Sequence, residues 1–341
     1  MPWPPSAMTT TSGYSRSGHL TAGWPGITAG RGPCAVLSRA SPAGDAGEEA
    51  GDEGPAELIC RRAGAAGSMG AMAERFDVSR DGTTLAGERW PGGGQTVLLL
   101  HEGVADRRGW AEVAGLLAPE LTVVAYDRRG YGQTPPSTGP FSHLDDLLAV
   151  LARAGAGPVW LAGASAGGGL ALDAALVAPG RVAGLVVMGT AVSGAPEPEL
   201  DAATRRFESL LEKAYAARDA GEINRLETWL WLDGPGQPEG RVRGAARKLA
   251  LDMNAIIIGN GVPETAGAAD VDAWHRLAEI KVPVTVACGD LDVPFLVDRC
   301  RLLADRLPTA RHHVLAGLAH QPYLESASTV TQLIRSAVTV G

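Results

Sequence analysis

Residues 158–180 read PVWLAGASAGGGLALDAALVAPG, an apolar strand-like run that passes through a patch of very small residues straight into a helix-like one. Four of the seven positions 163–169 are glycine. Glycine at that density is poor material for a helix and leaves nothing to fill a core. It suits a turn so sharp that a Cβ at the flanking positions would collide with the neighbouring strand or helix. Ser165 sits at the centre of that turn, in Gly163-Ala164-Ser165-Ala166-Gly167. A G-x-S-x-G between a strand and a helix holds its serine in a strained backbone conformation and lifts Oγ clear of the sheet, above a helix N-terminus that favours developing negative charge. The bland alternative is a glycine-rich turn that merely contains a serine, in a chain with 45 glycines among 341 residues. The rest of the chain has to decide between them.

The alternation of strand and helix continues on both sides. FDVSRDGTTLAGERW (76–90) reads as two strands joined at Asp81-Gly82, a strong hairpin dipeptide. VLLLH (97–101), LTVVAY (121–126), PVWLAG (158–163), VAGLVVMG (182–189), VPVTVACG (282–289) and ARHHVLAG (310–317) read as further strands, most of them continuous apolar runs of the kind buried parallel strands show. Between them, RRGWAEVAGLLA (107–118) stops at Pro119, HLDDLLAVLARAG (143–155) stops at a glycine, and GGLALDAALVAPG (168–180) and FLVDRCRLLADRL (295–307) carry helical spacing. The pattern predicts an α/β fold, a doubly wound and mostly parallel sheet covered on both faces. Residues 196–280 interrupt it with a mostly helical stretch, ELDAATRRFESLLEKAYAARDAGEINRLETWLWL followed by a PGQPEG loop. They read as a helical cap over the carboxyl edge of the sheet, where open α/β sheets bind ligands. The core then comprises residues 72–195 and 281–341.

Residues 1–71 have another texture, rich in Pro, Gly, Ala and Ser without sustained periodicity, as in PAGDAGEEAGDEGPAEL (42–58). Such a segment cannot bury enough apolar surface to offset its ordering entropy, so a disordered low-complexity extension is expected, with Met69 and Met72 as candidate natural starts. It lacks the apolar core of a secretory signal. A net charge of −8 argues against nucleic-acid binding, and no run approaches the roughly 18–20 apolar residues of a membrane span. Cys34, Cys60, Cys288 and Cys300 are scattered, forming neither a disulfide framework nor a zinc site, which suits a reducing cytoplasm. No cofactor or metal is called for; His312-His313 reads as the start of a strand. Homo-oligomerisation is left open.

A serine hydroxyl is a weak nucleophile that needs a base, and the base needs an orienting acid. CGDLD (288–292) and GLAHQPYLE (317–325) each follow a strand, so Asp292 and His320 are expected at the same sheet edge as Ser165, in the order Ser, Asp, His. Asp290 is the rival acid, set less deeply in the loop. An oxyanion needs two preorganised N–H donors. One is expected from Ala166 and the other from the loop LLHEGVADRRGW (99–110), at Gly103 or alternatively Val104.

These pieces, with VAYDRRGYGQT (124–134), resemble the α/β-hydrolase fold superfamily over about residues 74–340. The resemblance implies Ser165 as nucleophile, Asp292 as acid, His320 as base, and the Gly103 and Ala166 amides as the oxyanion hole. It implies a carboxylesterase-like enzyme (EC 3.1.1) acting on a small ester or lactone, with no nucleic-acid or membrane partner. The alternatives are a carbon–carbon bond hydrolase or cofactor-free perhydrolase on the same triad, a lyase, or a non-catalytic ligand-binding protein. Serine rather than aspartate at the elbow disfavours the dehalogenase and epoxide hydrolase branches.

Two departures from the family pattern stand out. Glu102 replaces the usual glycine after His101, placing a carboxylate by the hole unless it turns away or pairs with Arg107 or Arg108; Ala319 replaces a common glycine. Asp127 and Arg128 read as loop-structuring. In the cap, Trp229 and Trp231 are candidates to line the substrate pocket, although two positions apart they cannot share one helix face.

Overall fold

The computed structural model describes residues 73–137, 139–261, 266–267 and 271–340. The expected disordered extension at residues 1–71, with Cys34 and Cys60, lies outside the described residues. The hairpin forms as its turn chemistry dictates. β1 (Glu74–Arg80) and β2 (Thr83–Trp90) are antiparallel, and Asp81 and Gly82 both take positive φ, 46° and 73°. The further strands of the main sheet are β3 (Thr96–Leu100), β4 (Thr122–Tyr126), β5 (Val159–Ala164), β6 (Val182–Met188), β7 (Val284–Gly289) and β8 (Ala310–Leu315). They form one sheet in the order β1-β2-β4-β3-β5-β6-β7-β8, parallel from β4 to β8.

The continuous apolar runs are explained by helices on both faces. Leu98 and Leu100 of β3 point into a core with Leu147 and Leu151 of α2 (His143–Ala154), Leu172 of α3 (Ala166–Val177) and Leu303 of the helix Pro294–Arg306. Val97 and Leu99 point the other way, toward Val113 and Leu117 of α1 (Ala111–Leu117) and Ile334 of the carboxyl-terminal helix Ala327–Val340. The period-two side-chain alternation thus feeds two cores at once. At the edge, β8 has Arg311, His312, His313 and Val314 exposed, so both histidine rings face solvent.

The interruption is helical, as its spacing predicts: α4 (Ala202–Ala217), α5 (Ala220–Thr228) and α6 (Gly244–Asn260), with one π-helical turn at Trp229–Asp233. Its apolar cluster of Phe207, Leu211, Ile223, Leu226 and Trp231 also takes in Val104, from the loop after β3, and Val293 and Leu296, after β7. These core residues all follow carboxyl ends of strands, so the helices cover the edge where Ser165 emerges. Among the described residues no helix is long and apolar enough to cross a membrane.

Candidate active site

Ser165 caps the turn from β5 into α3 with φ 50° and ψ −119°, an unusual conformation for a residue with a side chain. Its N–H donates to the Met188 carbonyl at 2.8 Å, which ties the turn to β6. The surrounding glycines have a steric reason. A Cβ on Gly163 would lie 2.4 Å from the Gly167 carbonyl oxygen, and one on Gly167 would lie 2.3 Å from that of Leu100. Both obstacles are backbone, with no flexible side chain to move aside. Gly167→Ala is therefore expected to lower stability in urea by about 1–3 kcal/mol or to abolish soluble expression. Gly157→Ala, with nothing within 4 Å of its added methyl, should be near neutral. The turn also leaves the Ala166 N–H without an acceptor, and the Gly103 N–H after β3 has none either, so two donors are free at this edge among the described residues.

Across the edge, His320 follows β8 and Asp292 follows β7. The His320 Nδ1 lies 2.9 and 3.0 Å from the two Asp292 carboxylate oxygens, and both side chains are buried. Asp290 plays another part: it is exposed, and its Oδ1 accepts the Gly317 N–H at 2.6 Å, shaping the loop that carries the histidine. Burial works against a charged His320 ring, but the Asp292 carboxylate, its hydrogen bond and the Glu102 carboxyl outweigh it and lift the pKa to about 9. With Nδ1 occupied, Nε2 is the nitrogen left for chemistry. Among the described residues, the Ser165 hydroxyl makes no hydrogen bond to it or to any other group.

The structure separates the two cap tryptophans. Trp231 packs on His320, ring centroids 4.5 Å apart, and its carbonyl accepts the His320 N–H at 3.2 Å. Trp229 instead belongs to the cap: its Nε1 donates to the Gln237 carbonyl at 2.8 Å, and its ring stands edge-on to Phe207. Trp229 is therefore not among the side chains brought to His320.

Glu102 turns away from both arginines named as its partners. Arg107 binds Asp127, Glu88 and Gln133, and Arg108 is held by Asp106. Glu102 is fully buried, its Oε1 accepts from the Gln321 amide, and its Oε2 lies 3.7 Å from His320 Nε2. Burial raises its pKa, against the pull of His320 and Gln321. Asp127 and Arg128 do structure the loop. Asp127 also accepts the Arg107 and Gln133 N–H groups, at 2.9 and 2.8 Å. Arg128 donates through Nη2 to the Glu102 carbonyl at 2.7 Å. Its N–H donates to His101 Nε2 at 3.1 Å, while His101 Nδ1 donates to the Glu102 carbonyl at 2.8 Å. Burial keeps the His101 pKa well below the usual imidazole value, consistent with that neutral pairing.

Three contributors had no distinct sequence signal. Gly189, at φ 50°, allows close approach to the Asp292–His320 pair, since a Cβ there would lie 2.8 Å from Asp292 Oδ2. Gln321 holds Glu102. Glu325 accepts the Ala319 N–H at 2.7 Å and is bound by Arg241 of the cap, which braces the histidine loop from above. Only the MGT that ends β6 hinted at the first, as a glycine at a strand end; the others depend on long-range pairing.

Among known proteins, the chain is similar to a pimeloyl-[acyl-carrier protein] methyl ester esterase of Vibrio campbellii, 25% identical over 68% of this chain and 90% of that one. Similar solved structures include the esterase RhEst1 of Rhodococcus sp. ECU1013, at 24% identity, TM-score 0.63 and coverage of 78% and 98%. The enol-lactonase of Burkholderia xenovorans LB400 superposes with TM-score 0.61 at 20% identity, covering 78% of this chain and all of that one (100%). At such identities the structural likenesses establish the fold alone. The family model described as alpha/beta hydrolase fold matches residues 95–327, a span that takes in the elbow, the cap and the loops carrying Asp292 and His320. The chain belongs to the α/β-hydrolase fold family.

Proposed function

We propose that the protein is a serine hydrolase that cleaves a small carboxylic ester or lactone through an acyl-enzyme intermediate. The observation that carries this reading is the buried Asp292–His320 pair at 2.9 Å, placed at the same sheet edge as a serine on a positive-φ turn. In this reading Ser165 Oγ attacks the carbonyl carbon and His320 Nε2 takes its proton, while Asp292 holds the Nδ1–H tautomer. The Gly103 and Ala166 N–H groups, free of other acceptors among the described residues, receive the oxyanion, and the amino end of α3 adds its dipole. His320 then protonates the leaving oxygen; in the second half it deprotonates a water that releases the acid and restores Ser165. Trp231 and the apolar cap cluster around it favour an apolar group beside the scissile carbonyl. The methyl ester esterase named above supports ester over amide chemistry by similarity.

Intact-mass labelling with a fluorophosphonate tests the nucleophile, and a panel of p-nitrophenyl esters of rising chain length, lactones and vinylogous diketones tests the bond. Labelling at Ser165 with turnover of the shorter esters or lactones is the expected result. A folded protein that neither labels nor turns over any member would sink the enzymatic reading. Turnover of the diketones alone would move the reaction to carbon–carbon cleavage on the same triad.

A further inference from the structure

Glu102 Oε2 is buried and within normal hydrogen-bond geometry of no donor among the described residues; the buried Tyr323 hydroxyl, likewise without a partner in normal geometry, faces the same carboxyl. A buried acceptor left unpaired is costly, and in a native structure it calls for an explanation. Gln321 holds the Glu102 carboxyl, and two further groups hold its backbone. Gln321 donates to Oε1, and the Glu102 carbonyl is fixed by His101 Nδ1 and Arg128 Nη2, at 2.8 and 2.7 Å. The free oxygen points at the one ring nitrogen of His320 that Asp292 leaves unused, 3.7 Å away. That nitrogen is the one Ser165 needs.

We propose that Glu102 is a positioning residue for His320: its carboxylate holds the Nε2–H by charge, in competition with Ser165, so the resting site is a buried Glu102–His320–Asp292 cluster that must release a proton before the serine can be activated. The proposal rests on the serine-hydrolase reading given above. An imidazolium between two carboxylates is stabilised at both nitrogens, whereas a general base has to be neutral. The groups facing His320 are Asp292 and Cys300 on the β7 side, Glu102 on the β3 side, and the uncharged face of Trp231 from the cap. Those facing Glu102 are His320, Gln321, Tyr323 and, more distantly, Asp292; Arg128 reaches its backbone only. Because Glu102 and His320 interact, they release protons as a coupled pair. Burial pushes the Glu102 pKa up while His320 pulls it down, and the two carboxyl groups together lift His320 to about 9.

The sign of the effect is unusual. Removing an acidic residue from the site should make the serine more reactive at neutral pH, since loss of the negative charge lowers the His320 pKa and populates the neutral base. The rate of phosphonylation by a fluorophosphonate, followed across the pH range, reads this without a known substrate. In the wild type the rate should rise with pH, with a midpoint above the ordinary imidazole value of about 6.5. Glu102→Gln should move that midpoint about one to two pH units to the acid side, with labelling at neutral pH faster by about tenfold or more.

A merely structural role would not move the midpoint. Coincident midpoints in the two proteins would overturn the proposal, as would a change of plateau height alone, which would assign Glu102 to the oxyanion instead. A wild-type midpoint at or below about 6.5 would overturn it even if the variant did not fold. Absence of labelling at every pH in folded wild type would remove the serine-hydrolase reading, and this proposal with it.

Discussion

Ser165→Ala is expected to lower kcat on an activated short-chain ester by roughly 10⁴–10⁶-fold, with little change in Tm. The size of the loss follows from what the other groups do without it. In the proposed mechanism His320 and Asp292 act through the serine oxygen, so removing that atom would disable all three at once, and such losses do not add. What would remain on that mechanism is the binding of the carbonyl by the Gly103 and Ala166 N–H groups, which alone should sustain a small residual rate. Stability should hold because alanine keeps the Cβ, so the strain at φ 50° is unchanged. The N–H of residue 165 still reaches the Met188 carbonyl, and Ser165 Oγ gives up no hydrogen bond among the described residues. Steady-state kinetics beside a thermal melt checks both halves. Retention of most activity would mean that the nucleophile lies elsewhere.

The elbow was legible in the sequence because its causes are local. Gly163 and Gly167 are constrained by backbone within a few residues or on the adjacent strand, and a strand–turn–helix texture announces itself in one window. Asp292 was separable from Asp290 for a similar reason: two positions along a loop after a strand carry the side chain from the exposed rim into the cleft, where it meets His320.

Glu102 was readable as an anomaly but not in its destination. The arginines nearest in sequence, Arg107 and Arg108, are taken by Asp127 and Asp106, and its partner Gln321 lies 219 positions away. The tryptophans failed in part for the same reason. Their spacing showed that they face different ways, yet only the packing of the π-helical turn on the histidine loop says that Trp231 is the one against the ring. Local geometry is written locally; which of two equivalent side chains enters a site is decided by elements distant in the chain.

The same logic makes Asp292 the second position of large effect. Asp292→Asn should lower kcat by about 10⁴-fold, the loss typical of a triad acid replaced by its amide. The carboxylate accepts at Nδ1 from a ring whose proton it fixes there; an asparagine can turn its NH₂ toward that nitrogen and favour the wrong tautomer. It also removes the strongest attraction that keeps His320 charged against burial, so the surviving rate should lose its alkaline midpoint. The fold should tolerate the change, because Oδ1 can still accept the Val293 N–H, now at 2.6 Å, in its isosteric replacement. Asp290→Asn is the matched control: an exposed residue whose carboxylate accepts the Gly317 N–H should cost less than about tenfold, through a looser histidine loop. The two variants, compared as pH profiles of kcat/KM beside thermal melts, separate the roles. A large loss in Asp290→Asn with a small one in Asp292→Asn would reverse the assignment of the acid, and with it the reason the buried pair exists.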